Sequence, residues 1–295
     1  MVEKNPRARK DKYLKTVIDK LDYIASHNNY VVIAGDLLHI PCNSTLLFYL
    51  LYVLFSKHRG KFHGIIGNHD VIGRNTNNLS KTTVGALNTT RAYTLHREEF
   101  TLGGVTFVPA EITTNVDNIP VDTNNSKVLI AHKFYEQKFN PDESLFYSDI
   151  NRLNYNLVIL GHDHKPYEDI FVGNSTVIRM GSLTRIDTQS YNKDRNICYY
   201  RITSDGTGDY EYSREVIPYK SIEEVYTEEA IRHLTVGKVE KEAVSFIQLG
   251  DAIARLTKSS TGTNSLNEVL HRIKTPQQYI DEIKWKHEMN NVQYT

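Results

Sequence analysis

The sequence has few of the features that mark secreted and membrane-bound proteins. It contains two cysteines in 295 residues, too few for a disulfide framework, and we expect Cys42 and Cys198 to be packing residues in a reducing compartment. The longest apolar run, residues 45–55, is shorter than the roughly 18 residues that cross a bilayer, and the amino terminus is polar. These absences predict a soluble, cytoplasmic globular protein without membrane contact.

The chain also lacks an excess of charge of either sign. Its 35 basic side chains balance 35 acidic ones, so the formal net charge is zero. Any nucleic-acid binding must therefore come from a local patch rather than from the field of the whole molecule. The candidate patch is a basic opening that includes Arg7, Arg9, Lys10 and Lys12, for which charge alone equally allows a solvated first turn of a helix.

The spacing of apolar residues predicts an α/β fold. An amphipathic helix is predicted over residues 13–26 and an apolar helix over 45–56, and a strand, helix, strand order implies a parallel crossover. Residues 100–108 suit a hairpin that turns at Gly103-Gly104, and residues 73–90 read as a surface loop that allows one turn of helix. Short apolar runs predict buried strands at 30–34, 62–66, 127–131 and 156–160, and antiparallel strands at 175–180, 197–202 and 209–216.

Composition predicts the domain boundaries. Residues 1–217 carry the strand pattern and form the main domain, and residues 218–257 are a helical extension. A stretch rich in Ser and Thr, 258–265, is typical of a flexible linker. Residues 266–295 would then form a small helical appendage at the carboxyl terminus.

Polar clusters follow the carboxyl ends of four predicted buried strands, the edge at which open α/β sheets bind ligands. Imidazole and carboxylate groups together suit Mn, Fe, Zn or Ni, and an asparagine oxygen adds a hard neutral ligand. Each residue alone is an ordinary turn or strand-end residue, whereas four such clusters together predict a metal site. The residues are Asp36, Asn68, His69, Asp70, His132, His162 and His164.

Spacing refines this prediction. His162 and His164 are two residues apart, so an extended backbone would point both rings to one side, toward one ion or two neighbouring ions. Asp36 has two oxygens and can bridge two ions roughly 3.5–4 Å apart. His69, beside Asn68, would be placed to give a proton to a leaving oxygen.

In this order and spacing, Gly35-Asp36, Gly67–Asp70, His132 and Gly161–His164 resemble the calcineurin-like metallophosphoesterase superfamily. The resemblance covers roughly residues 3–215 and implies a metallophosphoesterase β-sandwich flanked by helices. Two further segments, 5–11 and 180–185, more narrowly resemble the nuclease subunit of the SbcCD/Mre11–Rad50 type, particularly its phage-encoded versions.

The resemblance also implies roles for single residues. Asp36 would bridge two divalent ions, expected to be Mn²⁺, and Asn68, His132 and His162 would complete one site. His164 would belong to the other site, and His69 would be the proton donor or transition-state stabiliser. Relatives open with a strand that ends in Asp-x-His, so we expect this chain to start just after that motif, which leaves the second site incomplete.

The function that the resemblance implies is a metal-dependent DNA exo/endonuclease with a two-metal centre. It would be the nuclease subunit of an SbcCD-like complex in DNA repair, recombination or phage DNA metabolism. Its partners would be DNA, an SMC-like ATPase of the SbcC type and a second copy in a homodimer. The ATPase would dock on residues 266–295, although their apolar spacing equally allows these helices to pack on their own domain. A general metallophosphodiesterase for small nucleotides or phosphoproteins, and a catalytically impaired adaptor of the same fold, stay open as alternatives.

Overall fold

The computed structural model describes residues 6–185, 189–192, 195–206 and 209–236. Its helices are α1 (Tyr13–His27), α2 (Thr45–Lys57), α3 (Thr83–Thr89), α4 (Tyr147–Leu153), α5 (Ile222–Val225) and α6 (Glu228–Val236). Its strands are β1 (Val31–Ile33), β2 (Phe62–Gly64), β3 (Thr94–Leu95), β4 (Phe100–Leu102), β5 (Val105–Ala110), β6 (Val128–Ala131), β7 (Phe134–Tyr135), β8 (Ser144–Leu145), β9 (Leu157–Leu160), β10 (Ile170–Val172), β11 (Ser175–Ile178), β12 (Cys198–Ser204) and β13 (Tyr210–Val216).

The strands form two main sheets. The first has the order β1-β2-β3 and is parallel throughout, so the predicted crossover from β1 through α2 to β2 is confirmed. The second has the order β10-β11-β9-β6-β5-β4, with parallel central strands and an antiparallel strand at each end. The predicted hairpin at 100–108 is the β4–β5 pair, and β12 and β13 pair antiparallel as expected.

The two sheets pack face to face. Val32 and Ile65 from the first sheet share one apolar cluster with Phe107, Ile130 and Ile159 from the second. Side chains of α1, α2 and α3 form a separate core with the first sheet, while α4 packs on the other face of the second sheet. This order of helix, sheet, sheet and helix confirms the expected β-sandwich flanked by helices.

The central strands of the second sheet are buried on both faces, which explains their continuous apolar runs in the sequence. In β6, Val128 and Ile130 face the other sheet, whereas Leu129 and Ala131 face α4. Successive side chains of a strand point to opposite faces, and both faces are buried here. β6 pairs in register with β9, so the residues that follow the two strands, from His132 and Gly161 onward, emerge side by side.

Some sequence-based expectations differ from the structure. Strand β11, expected to be antiparallel, pairs antiparallel with β10 but parallel with β9. The segment 73–90 contains α3, whose Val84 and Leu87 are buried in the core, so only part of it is a surface loop. Cys198 is buried as predicted, but Cys42 is exposed, so Cys42 is not a packing residue.

No helix among the described residues combines the length and apolarity that a bilayer span needs.

The predicted appendage falls beyond the part of the chain that the structure describes. Helices α5 and α6 lie inside the predicted extension 218–257, whose residues after 236 are not described. The linker 258–265 and the helices 266–295 also lie outside the described residues. The domain boundaries and the docking role of 266–295 therefore stay predictions.

The basic opening divides into one buried and three exposed side chains. Arg7, Lys10 and Lys12 are exposed. Arg9 is 5% exposed and donates from Nε and Nη2 to the two carboxylate oxygens of Asp11, each at 2.8 Å. It also donates to the Arg185 carbonyl. Its guanidinium is therefore turned inward, which corrects the expectation that Arg9 contacts DNA.

Asp11 shows the electrostatic consequence of this pairing. Burial alone would raise the pKa of its carboxyl, but hydrogen bonds from Arg9 and Thr16, with the charge of Arg9, hold that pKa below its ordinary value. The ion pair joins the opening segment to the core beside α1 and to Arg185. Removing one partner would leave the other charge buried and unpaired.

We expect Arg9→Ala to lower the free energy of unfolding by about 3–5 kcal/mol, because it leaves the buried Asp11 carboxylate without its cationic partner. The matched control is Lys15→Ala, which breaks an exposed ion pair with Asp19 on α1 and should cost at most about 0.5 kcal/mol. Urea denaturation followed by circular dichroism measures both values. Equal stability of the two variants, with DNA binding lost only in Arg9→Ala, would contradict the structural role of Arg9.

Candidate metal centre

Three of the predicted ligands face one point at the carboxyl ends of β1, β2 and β6. His132 directly follows β6, and its Nδ1 donates to the Ala34 carbonyl at 2.7 Å, so Nε2 is the nitrogen left for a ligand. That Nε2 lies 3.2 Å from Asp36 Oδ2 and 3.1 Å from Asn68 Oδ1. An imidazole nitrogen and two oxygens thus converge from three separate loops.

His162, after β9, completes the group. Asp36, His132 and His162 each offer a ligand atom, and these atoms lie within 4.8 Å of one another. The rings of His132 and His162 have centroids 4.7 Å apart. With the oxygen of Asn68, this donor set of two imidazoles, a carboxylate and an amide fits a first-row divalent ion.

Close approach of the loops explains why glycines precede these ligands. A Cβ on Gly35 would overlap with His132 Nδ1, and a Cβ on Gly67 would overlap with Asp36 Oδ1. Gly35 also has φ of +85°, which glycine adopts readily. The Gly-Asp and Gly-Asn pairs are therefore a packing requirement of the site as well as turn residues.

Two of the ligand residues have a left-handed backbone conformation. Asp36 has φ of +52° and His162 has φ of +81°. Such conformations cost on the order of 1 kcal/mol or more for residues other than glycine, and they cluster at functional sites because the surrounding structure fixes them.

A buried carboxylate, Asp70, ties these loops together. Its Oδ2 accepts hydrogen bonds from the backbone N–H groups of Asp36 and Gly67, each at 2.9 Å. Burial and the nearby negative charge of Asp36 raise the pKa of Asp70 to about 6. The sequence places Asp70 in the motif after β2, and the structure adds that it holds the Asp36 loop in place.

The pKa values of Asp36 and His132 depend on each other's charge. Burial alone would lower the pKa of His132, but the hydrogen bond and charge of Asp36 raise it above the ordinary value. Burial also opposes ionisation of Asp36, but the hydrogen bonds and charges of His132 and His69 together lower the pKa of Asp36 below its ordinary value. Burial, followed by the neighbouring His132, lowers the pKa of His162 to about 3, so this imidazole is neutral at pH 7, the form that binds metal.

His69 lies at the edge of this group. Its backbone N–H donates to Asp36 Oδ1 at 2.9 Å, which fixes one oxygen of that carboxylate. Its Nδ1 donates to the His39 carbonyl at 2.7 Å, and the two rings stack with centroids 5.1 Å apart. Nε2 of His69 is therefore the nitrogen that remains for a proton exchanged with a substrate.

The backbone at His162 is left-handed, with φ of +81°, and not extended as expected from the spacing of His162 and His164; His164 is separate from the ligand group. Its side chain is exposed and is not one of the three residues whose ligand atoms cluster. It nevertheless lines the same cavity, of about 320 Å³, as Asp36, His69, His132 and His162. The structure therefore brings four predicted ligands together and leaves His164 at the wall of the cavity they share.

One contact of the ligand group was not foreseen from the sequence. Glu143 ends a short 3₁₀ turn, Pro141–Glu143, and its Oε2 lies 3.3 Å from Nε2 of His162. It follows no predicted strand and belongs to no recognisable motif. The contact depends on the path of the chain between β7 and β8, for which the sequence carries no local signal.

Comparison with known proteins finds a family model that matches the sequence of this chain. The family model described as calcineurin-like phosphoesterase matches residues 10–166, more than half of the chain, and includes all the clustered ligands. No curated protein sequence matches the chain significantly.

Solved structures resemble the chain more distantly. A crystal structure of a hypothetical protein from Thermus thermophilus is 12% identical, with a TM-score of 0.37, over 68% of this chain and 94% of that one. The structure of TT1561 from the same organism is 12% identical, with a TM-score of 0.36, over 68% and 92%. The assignment rests on the match of the family model: the chain belongs to the calcineurin-like phosphoesterase family, whose members are metal-dependent phosphoester hydrolases.

Proposed function

We propose that this protein is a metal-dependent DNA exo/endonuclease, the nuclease subunit of an SbcCD-like complex in DNA repair, recombination or phage DNA metabolism. The observation that carries the phosphodiesterase part is the convergence of Asp36, Asn68, His132 and His162 on one point. The nuclease part is supported by the narrower sequence resemblance of residues 5–11 and 180–185 and by the exposed basic side chains of the opening segment.

Different residues of the chain would have different roles at the phosphodiester. Asp36, Asn68, His132 and His162 would hold a divalent ion, for which we propose Mn²⁺. When bound, such an ion neutralises the charge of the phosphate and activates water. The His69 backbone keeps Asp36 oriented through Oδ1, and the His69 side chain, whose Nδ1 is held by the His39 carbonyl, would give a proton from Nε2 to the departing sugar oxygen.

Asp36, together with His164 at the wall of the cavity, would hold a second divalent ion. These two side chains are its only proposed protein ligands within the described residues. The cavity extends along β1, the end strand of its sheet, toward β12. We propose that further ligands of this second ion come from an extended segment lying along β1.

Protein partners are part of the same proposal. One face of α2 exposes Leu46, Tyr49, Tyr52 and Val53, a cluster of large apolar side chains that supports a homodimer contact. Docking of an SMC-like ATPase on residues 266–295 rests on the sequence pattern and the resemblance.

Metal binding tests the assignment of the two sites. We expect calorimetric titration with Mn²⁺ to show one tight ion per chain, because four ligands converge at one site and two serve the other. His132→Ala should weaken that binding more than about 100-fold, since it removes a direct ligand. His164→Ala, the matched histidine control, should leave it within about twofold. An equal loss in both variants would contradict the division into a complete and an incomplete site.

The DNA-binding part predicts a salt effect. We expect the triple variant Arg7→Ala, Lys10→Ala, Lys12→Ala to bind duplex DNA more weakly and to reduce the slope of log affinity against log salt by up to about 2.7. Lys57→Ala, which removes an exposed lysine paired with Asp22, is the control and should leave the slope unchanged. Fluorescence anisotropy with labelled duplex measures both slopes.

The same preparation distinguishes the alternative activities. With Mn²⁺, the protein should degrade DNA and hydrolyse bis-p-nitrophenyl phosphate, and His69→Ala should slow both about 10²–10⁴-fold. Hydrolysis of the small ester with intact DNA would favour a general phosphodiesterase. Hydrolysis of neither, with Mn²⁺ bound, would favour the catalytically impaired adaptor.

A further inference from the structure

Glu143 is a nearly buried carboxylate in contact with the metal-ligand group. Its side chain is 12% exposed, and its Oε2 lies 3.3 Å from Nε2 of His162, whose side chain is 8% exposed. On its other side, Oε1 accepts from the guanidinium of Arg74, whose side chain is 61% exposed. Glu143 is thus held between an arginine facing solvent and a histidine facing the candidate ion.

The contact identifies which nitrogen of His162 carries the proton. An ionised carboxylate only accepts hydrogen bonds, so Nε2 of His162 must be the donor in this pair. A neutral imidazole has one N–H, and its other nitrogen, Nδ1, then carries the lone pair that can bind a metal. The contact with Glu143 therefore selects Nδ1 as the ligand atom of His162.

The surroundings restrict the ring further. Phe134 packs on His162 with ring centroids 3.9 Å apart, and the His132 ring lies 4.7 Å away on the metal side. His132 shows the complementary arrangement, because its Nδ1 is bonded to the Ala34 carbonyl and its Nε2 faces the ligand oxygens. His132 thus has one nitrogen fixed by the protein and one that faces the ligand oxygens, and in His162 the contact with Glu143 occupies Nε2.

Glu143 contacts this group from outside. Among the described residues, the group of ligand atoms within 4.8 Å of one another consists of Asp36, His132 and His162 and does not include Glu143. Its link to the site runs through Nε2 of His162. Arg74 lies four residues after Asp70, so the ion pair also joins the loop after β2 to the turn before β8.

We propose that Glu143 is a positioning residue of the metal centre: held by Arg74, it accepts the Nε2 proton of His162 and so presents Nδ1 to the ion. The proposal rests on the metal-binding role of His162 given above. Such a carboxylate orients a ligating histidine and increases its basicity, and removing it commonly costs 10–100-fold in metal affinity.

The tautomer of His162 tests the proposal without any metal. Long-range ¹H–¹⁵N correlation NMR at neutral pH should show a single Nε2–H tautomer in the wild-type protein. Glu143→Ala should convert it to a mixture of tautomers, and Glu143→Gln should restore Nε2–H, because the amide oxygen accepts the same hydrogen bond. An Nδ1–H tautomer in the wild type, or an unchanged spectrum in Glu143→Ala, would overturn the proposal.

Mn²⁺ affinity gives the second readout. Glu143→Ala should raise the dissociation constant about 10–100-fold, with Glu143→Gln and Arg74→Ala showing smaller increases. The control is Glu99→Ala, which breaks the comparable ion pair with Lys127 away from the ligands and should leave the constant unchanged. Equal dissociation constants for the wild type and Glu143→Ala would overturn the role of Glu143 alone. A wild-type protein that binds no Mn²⁺ would contradict the proposed metal centre. In that case the tautomer measurement alone would decide on Glu143.

Discussion

The candidate metal centre depends on one buried carboxylate, that of Asp70. Its Oδ2 accepts hydrogen bonds from the backbone N–H groups of Asp36 and Gly67, and so it joins the loops that follow β1 and β2. The backbone of His69 then binds Asp36 Oδ1, and Oδ2 is left to face His132. Without Asp70 the backbone N–H groups of Asp36 and Gly67 would lose their shared acceptor, and the two loops would lose this link.

The sandwich brings the other two ligands to the same point. His132 and His162 follow β6 and β9, neighbouring parallel strands of the second sheet, whereas Asp36 follows β1 of the first. The hydrogen bond from His132 to the Ala34 carbonyl connects the edges of the two sheets. The candidate ligands therefore follow strands with buried faces, and a site supported by such strands is held more precisely than one on isolated loops.

The fold, and the meeting of Asp36, Asn68, His132 and His162 at one edge, could largely be predicted from the sequence, because both depend on local patterns. Strands buried on both faces give continuous apolar runs, and the polar residues after them identify the functional edge. Features that depend on tertiary contacts could not be predicted: Arg9 is basic in a basic segment, and only its pairing with Asp11 shows that it is internal. In the same way, Val84 and Leu87 are too few to mark α3, and Glu143 reaches His162 from a turn outside the motifs.

Diffraction from crystals containing Mn²⁺ tests the central claim most directly, because anomalous scattering locates the ion without assumptions about activity. The account predicts the strongest anomalous peak at the point shared by Asp36, Asn68, Nε2 of His132 and Nδ1 of His162. A structure in which Mn²⁺ is bound only by other residues, or in which these four side chains bind none at saturating Mn²⁺, would contradict it.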